Sequence, residues 1–304
     1  MNYKTHKWKW LFGLGLFAAL ISGGLWWYFD GPETPNAFAE FVEPVSQRNV
    51  QEAQDLMDEV PEQLAGYTSL QANLRQRVNL LGCEMVGAGS YLQGDPRRKQ
   101  TRFEFRLQFE EAVLSWRQFC DGRSLWSAKK GLDGRTKISR VDLRDITPQA
   151  DEPELDSLNW GAGGLPQFMA SLRDAFIFTR MEKGWLDEMP AKIVRGRWNP
   201  ERLAKLLKEE LPADGEPLDH EMVPEHLPQA IEITLGSDDL FPYRIEFLRM
   251  NETGELVATV TMELFEVDYR AELTDAQFEF DPGEVEIRDG TQDFLKVLNW
   301  TAGN

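Results

Sequence analysis

Residues Thr101 to Phe109 read TRFEFRLQF. Phe103, Phe105, Leu107 and Phe109 fall on one side of an extended chain; Arg102, Glu104, Arg106 and Gln108 fall on the other. A strand with one buried and one wet face belongs to an antiparallel sheet. The period recurs upstream, where Leu74, Val78 and Leu80 alternate with Arg75, Arg77 and Asn79. Gly82 suggests a bulge or bend, after which the strand resumes from Met85 to Gln93. Gly94-Asp95-Pro96 is a turn. Glu110-Glu111 turns the chain into the strand AVLSWRQFC, and Asp121-Gly122 closes a hairpin onto Ser124 to Ala128. Further strands are expected at Ile138 to Leu143, at 191–198, 230–235, 243–250 and 256–271, and at Phe278 to Phe280. Turns rather than helices join most neighbours. The expected class is α+β: a curled antiparallel sheet or unclosed β-barrel.

Helical spacing appears in a few places. Val50, Ala53, Leu56, Met57, Val60 and Leu64 share a face over residues 47–64. The segment LPQFMASLRDAFIFT carries one stripe, Leu165, Phe168, Met169, Leu172 and Phe176. Asn199-Pro200 opens a helix over ERLAKLLKEEL, with Asn as N-cap and Pro in the first turn. A last helix is expected at 291–298. These amphipathic helices must cover the concave side of the sheet as a lid. Phe103, Phe105, Leu107, Phe109, Leu114, Trp116, Phe168, Leu172 and Phe176 then point into one space. Two readings are open: an ordinary core, or the wall of a ligand cavity.

Leu11 to Phe29 form an uncharged run of 19 residues, which as a helix spans roughly 28 Å, about one bilayer core. Lys4, Lys7 and Lys9 precede it, and Trp8, Trp10, Trp26, Trp27 and Tyr28 flank it as interfacial rings do. The expected organisation is a cytoplasmic segment at 1–10, a transmembrane anchor at 11–29, a Pro-rich linker at 30–46 and one folded domain at 47–304. The basic flank puts that domain outside the inner (cytoplasmic) membrane, in the periplasm or exterior. The alternative is secretion after cleavage near Ala37-Phe38-Ala39.

A formal net charge of −18 argues against DNA, RNA or anionic lipid headgroups as electrostatic partners, though not against a lipid whose tails lie in an apolar cavity. No catalytic constellation stands out. His6, His220 and His226 are the only histidines, and HEMVPEH places Pro224 where a metalloprotease motif needs its second His. No metal site and no cofactor is expected. A carboxylate pair such as Glu104 and Glu263 is the one opening toward acid–base chemistry, but carboxylates on the polar face of a strand are ordinarily just solvated; the chain reads as a non-enzyme. Cys83 and Cys120 fall on strands separated by another strand, which favours two buried thiols over a disulfide unless one lies past the end of the intervening strand.

The segment Cys120-Asp121-Gly122-Arg123-Ser124-Leu125-Trp126 carries the pattern Asp-Gly-x-x-Leu-Trp at a hairpin. SLQANLRQRV lies upstream. LPQAIEI (227–233), FPYRI (241–245), Phe278-Glu279-Phe280-Asp281-Pro282 and Asp289-Gly290-Thr291 follow downstream. In this order the motifs resemble the LolA-like family, periplasmic carriers of outer-membrane lipoproteins and their relatives, over roughly residues 47–298. The resemblance implies an unclosed β-barrel with a helical lid and a hydrophobic cavity for the acyl chains of a lipid or lipoprotein. It also implies an arginine on the second strand that holds the lid closed, and Arg102 is the nearest position. Family carriers are soluble shuttles, whereas an anchored copy would receive or hold its ligand at the membrane. The resemblance thus leads to a membrane-anchored, non-catalytic holder of acyl chains, with a membrane protein as a further partner. The alternatives are an envelope-stress module that binds a protein, and a hydrolase of envelope lipids or glycans.

Overall fold

The computed structural model describes residues 47–80, 83–144, 160–207, 223–224, 227–251, 253–292 and 294. Helices α1 (Gln47–Ala65), α2 (Trp160–Ala175) and α3 (Pro200–Leu207) accompany twelve strands. These are β1 (Leu70–Leu80), β2 (Cys83–Gln93), β3 (Gln100–Phe109), β4 (Ala112–Asp121), β5 (Ser124–Lys130), β6 (Thr136–Asp142), β7 (Phe176–Leu186), β8 (Met189–Trp198), β9 (Ala230–Gly236), β10 (Pro242–Met250), β11 (Leu256–Asp268) and β12 (Ile287–Asp289).

All twelve strands form one sheet in the order β12-β6-β5-β4-β3-β2-β1-β11-β10-β9-β8-β7. Only the β12–β6 pair is parallel. The two edge strands do not pair with each other, so the sheet is unclosed. It is also strongly curled. On a flat sheet β5 and β7 would stand nine strand spacings apart, about 43 Å. Yet α2, whose regular run after a break at Gly164 is the 11 residues 165–175 and so about 17 Å long, packs on β3, β4 and β5 as well as on β7. The sheet reaches both flanks of the helix only by wrapping around it. Helix α1 packs against α2 and β7 and completes the cover.

The apolar face of α1, Ala53, Leu56, Met57, Val60 and Leu64, is buried as its spacing requires. It joins the inward rows of the strands in one main core, while Cys120, Leu125, Val141 and Phe294 form a small satellite cluster.

Several expectations are corrected. Leu80 pairs with Cys83, so the chain reverses there into two antiparallel strands instead of bending within one. The second helix stops at Ala175, and Phe176-Ile177-Phe178-Thr179 opens β7. Phe176 and Phe178 are buried there while Ile177 and Thr179 are half-buried, a period of two that suits β-branched residues. The Asn199 N–H donates to the Ala175 carbonyl at 2.8 Å, which ties the end of the helix to the end of β8. Phe278 to Phe280 is not a strand. Asp275–Phe278 is a 3-10 turn, with the Thr274 N–H donating to Gln277 Oε1 at 2.6 Å. Strands β7 and β12 were not foreseen. The expected anchor and linker, His220 and His226 lie outside the described residues, as do all of 208–222 and 295–304. Among the described residues no helix is long and apolar enough to cross a membrane.

Candidate functional site

The nine aromatic and aliphatic candidates come together. Phe103, Phe105, Leu107, Phe109, Trp116, Phe168, Leu172 and Phe176 belong to the main buried cluster, and half-buried Leu114 packs against it. The cross-strand register explains why. Phe105 faces Trp116, and Leu107 faces Leu114, across β3 and β4. The Phe103 ring meets Trp116 edge-on at 5.2 Å and stacks near Phe105 at 6.1 Å, both favoured aromatic geometries. Trp116 Nε1 donates to Ser127 Oγ at 3.2 Å, which fixes the indole plane. At Gly87, on the neighbouring strand, a Cβ would come within 2.2 Å of the Phe105 ring. The glycine there makes room for the aromatic row.

Phe168 and Leu172 enter the same cluster from α2, and Phe176 from the start of β7, where its ring stacks on Trp198 at 4.4 Å. The covering helices thus rest on the sheet mainly through apolar side chains.

A buried polar junction, which the sequence reading missed, pins both helices at one end. Tyr91 and Gln93 point inward from the end of β2 and are fully or nearly fully buried. The Leu165 N–H, the first donor after the break in α2 at Gly164, donates to Tyr91 Oη at 2.8 Å. The Tyr91 hydroxyl donates in turn to Gln93 Oε1 at 2.7 Å. The Gln93 amide donates to the carbonyls of Leu64 at 3.1 Å and Tyr67 at 3.2 Å, at the end of α1. Burial raises the Tyr91 phenol above its ordinary value, so it stays protonated and able to donate. Gln93 occupies an inward position of a half-buried strand, and that break in alternation was the available signal.

Arg102 lies on the opposite, outer face. Its guanidinium bonds to Glu104 and to the Gln277 carbonyl (3.2 Å) and sits 5.0 Å from the Phe119 ring centroid. Those contacts hold the C-terminal segment against β3 and β4. Phe280, in the same segment, lies 5.1 Å from Phe119 and 5.5 Å from Trp126.

The carboxylate pair does not assemble. Glu104 on β3 and Glu263 on β11 are three strand spacings apart, about 14 Å or more, beyond the separations that glycoside hydrolysis uses. Glu263 is instead bonded by Arg75 at 2.7 Å and Arg244 at 2.8 Å. Among the described residues no group of His, Cys, Asp and Glu could hold a metal ion. Cys120 is a buried free thiol, pushed up to about 11 by burial. It is level with Thr101 and Gln93 across β3 and β2. Cys83 is ten residues away along β2, about 33 Å, so no bridge joins them.

The class defined by these features is an open, curled antiparallel sheet with an apolar concave face under two helices. Solved structures similar to this chain include the following three. One is the MucA/MucB complex of Pseudomonas aeruginosa, at 14% identity and a TM-score of 0.40, covering 76% of this chain and 61% of that one. Another is LprF of Mycobacterium bovis, at 12% identity and 0.36, covering 71% and 93%. A third is a LolA superfamily protein of Nitrosomonas europaea, at 11% identity and 0.27, covering 75% and 97%. The chain thus spans about three fifths of the MucB-complex chain it matches. No protein-family model matches the chain, and no curated protein matches its sequence.

Proposed function

We propose that this chain is a non-catalytic binding protein that holds the acyl chains of a lipid or lipoprotein between its concave sheet and its helices. The proposal places it at the inner membrane, tethered by Leu11 to Phe29, with the folded domain on the periplasmic side. One observation carries the binding reading. The inward rows of β3 and β4 and the stripe of α2 form a single apolar cluster, while polar bonds seat the roof at its two ends: the Tyr91–Gln93 junction at one, and the Asn199–Ala175 and Gln54–Phe178 bonds at the other. A roof held by polar ties at its ends and mainly by apolar contact between them can part from the sheet between the ties without stranding buried hydrogen-bonding groups. An acyl chain entering beneath it replaces one set of apolar contacts with another. Each buried methylene contributes about 0.8 kcal/mol, so one long chain outweighs a substantial ordering cost in lid and ligand.

The test uses the full-length protein in phosphatidylcholine nanodiscs, stripped of endogenous lipid and titrated with a fluorescent fatty acid, with empty nanodiscs as background. Saturable binding is expected, and it should weaken in Phe105→Glu and Trp116→Glu variants that keep the circular dichroism of the parent. Native mass spectrometry of the protein as purified should show an added lipid mass. No added mass and no saturable titration would sink the reading. A dominant protein crosslink in cells with no lipid would move the assignment to a protein-binding module.

A further inference from the structure

One row of residues crosses the concave face from the core to the rim. The cross-strand register aligns Leu74 of β1, Gly89 of β2, Phe105 of β3, Trp116 of β4, Lys129 of β5 and Lys137 of β6. Leu74, Phe105 and Trp116 are 2%, 5% and 7% exposed, whereas Lys129 and Lys137 are exposed. The row is amphipathic along its length, apolar in the middle of the sheet and cationic at one side.

The two lysines stand directly opposite each other on adjacent strands, a like-charge arrangement that costs stability when nothing lies between the charges. Among the described residues no carboxylate comes within ion-pair distance of either ammonium. Lys129 Nζ lies 5.1 Å from the Trp116 ring centroid, at the border between the charged rim and the buried rows. A bound anion would relieve that repulsion. The surrounding hairpin is equally one-sided. Residues 129–137 hold Lys129, Lys130, Arg135 and Lys137 against Asp133 alone, in a chain whose net charge is −18.

We propose that Lys129 and Lys137 form an anion subsite at the rim of the concave face, taking the carboxylate or phosphate head of an acyl lipid whose chain lies over Trp116 and Phe105. The inference rests on the acyl-binding reading and adds what that reading lacks: a polarity for the ligand. The head sits at the β5–β6 side, and the chain runs inward toward β1.

The test compares two dansyl-labelled probes of one chain length, a long-chain fatty acid and its uncharged methyl ester. Both are titrated into the full-length protein in phosphatidylcholine nanodiscs. In a Lys129→Gln/Lys137→Gln variant the acid should bind about five- to tenfold more weakly, as the loss of two solvent-reached ionic contacts implies. The ester should be unaffected. Equal effects on both probes, or no effect on either, would overturn the subsite while leaving acyl binding intact. Failure of both probes to bind the unaltered protein would overturn acyl binding and the subsite together. Inorganic phosphate is added alone as a competitor. Displacement of the acid at low phosphate concentration, with the ester retained, would assign the lysines to free anions instead of a lipid head.

Discussion

At Gly164 the backbone takes φ 63° and ψ −154°, a region open essentially to glycine alone. A Cβ there would stand 2.2 Å from the Tyr91 hydroxyl and 3.0 Å from Thr101 Cγ2. The same hydroxyl receives the Leu165 N–H and donates to Gln93. One tyrosine oxygen and one missing side chain therefore set where the longer run of α2 begins on the sheet. Tyr91→Phe leaves the Leu165 donor and a Gln93 acceptor buried without this partner and should cost about 1–3 kcal/mol. Gly164→Ala adds backbone strain to a steric clash and should cost about 2–4 kcal/mol. Urea unfolding of the two variants checks both figures. A loss below half a kcal/mol in Tyr91→Phe would show that the junction does not seat the helix.

The elements divide into those held by the inner face and those held by the outer. The 3-10 turn and Phe280 belong to the outer group, fastened by Arg102, Phe119, Trp126 and the Arg117 guanidinium, which lies 5.6 Å from Phe280. Arg102→Ala should therefore raise amide hydrogen exchange across 274–280 severalfold while α1 and α2 keep the protection of the parent. Exchange rising in the helices instead would make Arg102 a fastener of the roof. The same division explains what could be read from sequence. Strands β3, β4 and β5 announce themselves because one face is apolar, one polar, and Asp121-Gly122 marks the turn between β4 and β5. The inward aromatic candidates came from that alternation and do share one cluster. Strand β7 was hidden because Phe176 continues the i, i+4 stripe of Leu172, so two periods overlap on the same residue. Strand β12 is three exposed residues with no burial pattern to detect. Phe278 and Phe280 alternate as a strand would, yet Phe280 packs on the back of β4 and β5 and the turn that holds Phe278 lies against β3 and β4, partners no local pattern reveals.

At the scale of the molecule, one sheet and one main core make unfolding a single cooperative event, so a change on any strand should move one transition. The outer face shows how. Charges cross it from β1 to β8: Arg75 and Arg244 flank Glu263, Glu246 faces Glu232 across β10 and β9, and Arg195 bonds Glu232. The two carboxylates Glu263 and Glu246 behave oppositely. Burial alone would raise Glu263, but hydrogen bonds from Arg75 and Arg244 outweigh it and hold the group below the ordinary glutamate value. Burial raises Glu246, and repulsion from Glu232 and Glu263 adds to it against the pull of Arg244. A depressed folded value means the Glu263 contribution is present above the unfolded value, about 4.3, and lost as pH falls through the folded one. A raised folded value means the Glu246 contribution is present below about 4.3 and lost as pH rises through the folded value. Glu263→Gln should thus lower the melting temperature at neutral pH and lose that effect in acid. Glu246→Gln should raise it by about 1–3 °C at neutral pH and be silent near pH 4, where the parent carboxyl is itself protonated. Calorimetry at both pH values separates the signs. A Glu246→Gln variant that melts lower than the parent at neutral pH would mean the outer charges support the curl through Glu246 and not in spite of it.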